Sequence, residues 1–216
     1  GHVEVTKCLV GAGADLAASN NCRTTALMFA AGKGHVDVAQ YLGGAGADLA
    51  AKDRHGNTAL ILAAYGGHVA VAQYLGGAGA DLEAKANDGR TALMCAALHG
   101  HVEVAQYLVE AGAELAASTK SSIKYGKTAL MWAVKRGHLA VAQYLEDATV
   151  QALAESKPMI NAAINNNITE LKRLVATGTG INSKDGRGKA ALMWAAEKGH
   201  VEVAQYLGGA GADLAT

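Results

Sequence analysis

This sequence is poor in proline, with Pro158 alone among 216 residues. Together with 27 glycines and an apolar half rich in alanine, that scarcity predicts short helices packed closely. Cysteine is scarce as well. Cys8, Cys22 and Cys95 form no CxxC pair and no even set, which excludes a disulfide framework and predicts a reduced, intracellular and cytoplasmic protein. An excess of one charge is missing, because 19 Lys and Arg balance 19 Asp and Glu. That excludes the overall basic balance expected of a nucleic-acid or acidic-membrane binder. No apolar run reaches the roughly 18 residues that cross a bilayer, so no membrane insertion is expected. Asn167-Ile168-Thr169 fits a glycosylation acceptor, a motif short enough to arise by chance. The chain opens on Gly1-His2 with neither methionine nor signal sequence, so targeting is not legible.

What the sequence has in abundance is itself. The dipeptide Gly-His places histidines at His2, His35, His68, His101, His138 and His200, at intervals of 33, 33, 33, 37 and 62 residues. The last interval holds a worn copy, "MINAAINNNITELKRLVATGTGINSKDG". It aligns with the others when Asn167 takes the histidine's place, and the final intervals then become 29 and 33. Within a unit, Thr58 fits a helix N-cap, Leu60, Ala63 and Ala64 recur at helical spacing, and Gly67 ends the helix. Val69, Val71, Ala72 and Leu75 give a second apolar stripe. Gly76-Gly77 and Gly79 are expected to stop it, and "ADLEAKANDG" returns as a loop. Each unit is therefore helix, turn, helix, loop, and none buries its apolar face alone; neighbours must stack.

Thr-Ala-Leu-Met-x-Ala-Ala, then Gly-His-Val-x-Val-Ala-x-x-Leu, then Gly-Ala-Asp-Leu resembles the ankyrin repeat at its usual period, over nearly the whole chain. The family usually writes Pro and His where this chain has Ala59-Leu60-Ile61 or Ala92-Leu93-Met94, so apolar packing is expected to replace that histidine's hydrogen bonds. Pro158 restores the proline in the worn copy, at a first-turn position where its missing N–H costs nothing. The expected fold is all-α: a single ankyrin-type solenoid over 1–216 with one irregular junction. A partial repeat (1–23) precedes regular repeats at 24–56, 57–89 and 90–126, the last with an insertion. A repeat lacking the usual hairpin (127–156), the degenerate copy (157–188) and a final repeat (189–216) follow. Because "EDATVQALAESKP" replaces Gly-Ala-Asp-Leu, the helix from Leu139 is expected to run on to about Glu155, or else to end normally before a disordered connection.

The repeat argues against chemistry. Histidines on successive helices about 8–10 Å apart cannot converge on one ion held at about 2 Å, so the ladder predicts rings that fix the inter-helix turn through backbone bonds. The "GGAGAD" copies lack the Lys and Ser/Thr of a phosphate loop, and Asp48, Asp81 and Asp213 recur once per unit rather than as a pair. No cofactor, metal or catalytic residue is predicted, and the chain reads as a non-enzyme.

Positions that differ between copies are free to specify a ligand. They fall in the loop before each first helix and at that helix's end. The loop set holds Asn21, Cys22, Thr24, Arg54, His55, Asn57, Asn87, Asp88, Arg90, Lys124, Tyr125, Lys127, Arg187 and Lys189. The helix-end set holds Lys33, Tyr65, Leu98, His99, Lys135, Arg136, Glu197 and Lys198. By resemblance to the family, these line hairpin tips and a concave groove where a partner protein binds. Trp132 and Trp194 share one first-helix position, where a large aromatic either fills space between repeats or anchors a ligand. Lys124, Tyr125, Lys127, Lys135 and Arg136 are expected near Trp132, a basic cluster suited to an acidic or phosphorylated segment. The expected function is a protein-interaction scaffold; the alternatives are the targeting segment of a larger enzyme such as a kinase, or an array self-associating end to end. Terminal helices written like internal ones, "HVEVTKCLV" and "HVEVAQYL", point to a longer array or to ends that associate.

Overall fold

The structure is a computed structural model that describes residues 1–119, 126–184 and 188–212, with backbone alone for 153–156. Thirteen helices and no strand stand among the described residues: α1 (Val3–Gly11), α2 (Ala26–Lys33), α3 (Val36–Gly44), α4 (Ala59–Gly66), α5 (Val69–Gly77), α6 (Ala92–His99), α7 (Val102–Glu110), α8 (Ala129–Arg136), α9 (Leu139–Ser156), α10 (Pro158–Ile164), α11 (Ile168–Ala176), α12 (Ala191–Lys198) and α13 (Val201–Gly209). The chain divides into two compact units, Gly1–Asp147 and Ala148–Thr216.

Local chemistry sets the helix starts. Thr25, Thr58, Thr91 and Thr128 hold extended backbone and accept, through the hydroxyl, the N–H three residues on at 3.4 Å. Each thus satisfies one of the donors that a helix start leaves open. Ala190 holds the same backbone, φ −86 and ψ 169, before α12 and offers no side-chain acceptor. Ala190→Thr is therefore expected to stabilise the Ala148–Thr216 unit by about 1 kcal/mol. Thermal melts of the two chains would show it, and an unchanged midpoint would mean that the site does not admit the hydroxyl.

In the first unit, first helices pack on first helices (α2, α4, α6, α8), and second helices on second helices (α1, α3, α5, α7). Leu27, Leu60 and Leu93, with Met28, Ile61 and Met94, are buried from the first helices; Leu42, Leu75 and Leu108 come from the second. Ala31, Ala64 and Ala97 are also fully buried, and small side chains there let the helices approach closely. The second unit has its own core from Met159, Ile160, Leu171, Leu174, Val203 and Leu207. The worn copy compensates within that core. Leu171 is buried where other copies bury an alanine such as Ala105, beside Glu170 where they bury a valine such as Val104.

Four of the ladder histidines bond to backbone carbonyls, and those carbonyls belong to the preceding repeat. His68 Nε2 donates to Gly32 O (3.2 Å), His101 to Tyr65 O (3.0 Å), His138 to Leu98 O (3.1 Å) and His200 to Ile164 O (2.9 Å). In the worn copy Asn166 adopts the left-handed φ of 54° that glycine supplies elsewhere, a conformation asparagine tolerates. Asn167, in the histidine's place, caps α11 by accepting from Glu170 N at 3.0 Å.

The paired glycines are the last two residues of α3, α5 and α13, and Gly79 follows the end of α5 with φ of 90°. Tyr74 and Tyr107 hydroxyls donate to Gln40 O (3.1 Å) and Gln73 O (3.2 Å) of the preceding repeat, and they press on Gly43 and Gly76, where a Cβ would collide with the phenol oxygen. Gly77 has nothing within 4 Å of its Cβ position. Adjacent substitutions should then have opposite signs in urea unfolding: Gly76→Ala loses about 1–2 kcal/mol, and Gly77→Ala gains up to about 1 kcal/mol. Equal effects would reduce both glycines to helix propensity alone.

As the sequence pattern predicted, α9 runs on from Leu139, to Ser156. Pro158 opens α10 at its first position, leaving no backbone donor to satisfy there.

Candidate partner-binding face

One hairpin tip is ordered by a buried carboxylate. Asp53 accepts from His55 N and Asn57 N, each at 2.8 Å, and from Asn57 Nδ2 at 3.1 Å. Successive tips are tied together. Arg54 N donates to Cys22 O (2.9 Å), Asn87 N to His55 O (2.8 Å), and Asn87 Nδ2 to Arg54 O (2.9 Å). Asn57 and Asn87 therefore hold the loops, while the Arg54 and His55 side chains are left exposed.

Asp88 and Arg90 pair with each other: Arg90 Nε lies 2.6 Å from Asp88 Oδ2, and Arg90 N donates to Asp88 Oδ1 at 3.1 Å. Burial works against ionisation of Asp88, but the Arg90 hydrogen bonds outweigh it and hold the carboxyl below its ordinary range. The same side-chain bond, partly offset by burial, raises Arg90.

Three successive repeats meet at the first-helix ends. Tyr65, 54% exposed, lies with its ring centre 4.1 Å from that of His99, whose other neighbour is His101 at 6.2 Å. His99 Nε2 is buried with no hydrogen-bond partner among the described residues. Burial first, then the charges of His101, Arg90 and Arg136, depresses the His99 pKa. Burial and these positive neighbours thus favour the neutral imidazole. Beneath it, burial pushes the Cys95 thiol up to about 11, which marks a packing residue rather than a nucleophile.

At the next repeat, Lys127 Nζ lies 4.7 Å and Lys135 Nζ 5.4 Å from the centre of the Trp132 ring. Thr119 positions the first lysine, accepting Lys127 N through its hydroxyl at 3.1 Å and donating its own N–H to Lys127 O at 3.2 Å. Trp132 packs partly against the core, and its Nε1 is buried with no hydrogen-bond partner among the described residues. In the second unit Lys189 lies 4.6 Å above the Trp194 ring and is ion-paired with Glu197; Lys198 is exposed in the last turn of α12. Lys124, Tyr125 and Arg187 lie outside the described residues.

A model described as "Ankyrin repeats (3 copies)" matches residues 1–86, 75–155 and 146–216. The chain belongs to the ankyrin-repeat family. No curated protein matches it. Ankyrin repeats are in general protein–protein interaction modules, and the all-α architecture here is of that type. Among the described residues, no helix is long and apolar enough to cross a membrane.

The sequence reading named Lys127, Trp132, Lys135, Tyr65 and His99 as candidates, and Glu197 among the variable helix-end positions. It did not single out Thr119 or His101 at this face, and it did not foresee that Glu197 pairs with Lys189, eight residues before it as Lys127 is before Lys135.

Proposed function

We propose that this ankyrin array is a non-catalytic scaffold that grips an acidic segment of a partner protein along the hairpin tips and first-helix ends of the Gly1–Asp147 unit. The observation that carries this reading is the meeting of basic and aromatic side chains from successive repeats: Arg90, His99 and Arg136 at one step, and Lys127, Trp132 and Lys135 at the next. Their backbones are held by caps and inter-repeat bonds, so little ordering cost falls on association. An indole flanked by ammonium groups offers both apolar area and charge, the combination that dominates protein interfaces.

The test is affinity capture from a lysate of the source cell, followed by titration of the identified partner against two variants. Alanine at Arg90, Lys127, Lys135 and Arg136 together is expected to weaken binding by about a hundredfold and to flatten its salt dependence. Alanine at Gln73 and Glu103, on the second helices, is expected to leave affinity within about twofold. Equal affinity for the two variants would sink the reading and move the contact to another face.

A further inference from the structure

The Lys127–Trp132–Lys135 cluster carries an imbalance that the rest of the array avoids. Two ammonium groups from different elements, one in the loop and one on α8, sit over a single indole. Neither is paired with a carboxylate among the described residues. Contact with Lys135, and then burial, depresses the Lys127 pKa, as expected for like charges held together.

The equivalent positions in other copies are arranged otherwise. They read Thr24, Phe29 and Gly32; Asn57, Leu62 and Tyr65; Arg90, Cys95 and Leu98. In the second unit they read Lys189, Trp194 and Glu197, the same lysine and indole with the second cation replaced by a carboxylate that closes an ion pair. One fold therefore holds the device in two states, open at Lys127–Lys135 and self-neutralised at Lys189–Glu197.

We infer that the Lys127–Trp132–Lys135 cluster is a binding site for a phosphorylated serine or threonine of the partner protein. The inference rests on the proposed acidic-segment reading and narrows it. A carboxylate brings one negative charge and leaves one ammonium uncompensated. A phosphomonoester carries about −1.5 to −2 at pH 7 with three acceptor oxygens, enough to engage both cations at once. A nucleic-acid phosphodiester brings a single charge per phosphate and needs an extended basic track, which a chain with equal numbers of basic and acidic residues does not present. Trp132 adds an apolar wall for the chain bearing the phosphate. Its unsatisfied Nε1 is a cost to the free fold, as at positions kept for something other than stability.

The test uses three fluorescent peptide pools with randomised flanks around a fixed phosphoserine, glutamate or serine. The phosphoserine pool is expected to bind the intact chain at least about tenfold more tightly than the glutamate pool, one added charge-assisted bond being enough for that factor. Lys135→Glu recreates the arrangement found at Lys189–Trp194–Glu197, so it should fold normally by circular dichroism and lose the phosphoserine preference. Glu197→Lys builds a second open pair and should raise the phosphoserine-peptide stoichiometry from one to two. Equal binding of the phosphoserine and glutamate pools, both lost in Lys135→Glu, overturns the inference while sustaining the acidic-segment reading. Indifference of every pool to Lys135→Glu overturns both. Competition by inorganic phosphate at the same concentration as the peptide also overturns the inference, since it leaves only attraction of small anions.

Discussion

Alanine at Gly67 should lower the stability of the Gly1–Asp147 unit by about 3 kcal/mol, the sum of two effects. Gly67 has φ of 74°, a left-handed conformation that costs a residue with a Cβ about 1–2 kcal/mol. The new Cβ would also lie 2.5 Å from His101 Nδ1, so the imidazole has to move and surrender its 3.0 Å bond to Tyr65 O. Losing that inter-repeat bond, and leaving its carbonyl less well satisfied, adds about 1–2 kcal/mol. Gly137 separates the two contributions. Its φ is also 74°, yet nothing among the described residues lies within 4 Å of its Cβ position. Gly137→Ala should therefore cost only the backbone share, about 1 kcal/mol. Urea unfolding of both variants measures the difference, and equal losses would show that the histidine contact contributes nothing.

Leu108→Ala is expected to cost about 3–4 kcal/mol, through lost burial plus the cavity that its neighbours cannot fill. Leu108 has no exposed surface and lies on α7 within the core of the first unit. Leu139 is the contrast. It too is a leucine on a second helix, but it is 79% exposed at the first position of α9, so Leu139→Ala should change stability by less than about 0.5 kcal/mol. Thermal melts followed by circular dichroism would distinguish them. A comparable loss at both positions would contradict the burial assigned here to the second helices.

The candidate face was partly legible because variation between copies exposes the positions that the scaffold leaves free. Comparing Arg90, Lys127 and Lys189 with one another needs only the period. What those side chains touch was not legible. Asp88 and Arg90 satisfy each other, Asn57 and Asn87 are engaged in holding the tips, and Lys189 is neutralised by Glu197. Among the described residues, only at Lys127 and Lys135 does the variation leave cations facing each other over an indole. These are relations across loops and neighbouring helices, and no local spacing rule reports them.

The glycines show the same division. Their role as left-handed helix ends at Gly34, Gly67 and Gly100 follows from local backbone sterics, and the sequence shows it. Gly43 and Gly76 read only as part of the helix ends, where they do lie. They are also gaps for the tyrosine of the next repeat, a contact spanning 31 residues of chain, from Gly43 to Tyr74 and from Gly76 to Tyr107.

By itself, the sequence determined the period, the threonine starts, the glycine ends and the all-α class, because each follows from the chemistry of a few neighbouring residues; between a run-on α9 and an ordinary helix end, the structure decided. Tertiary structure alone decided that the histidines bond backward to the preceding repeat, that two separate cores form, and that one lysine pair stays open while its counterpart is closed. Those outcomes depend on which side chains stacking brings within hydrogen-bond and Coulomb range, and stacking joins residues about one repeat apart.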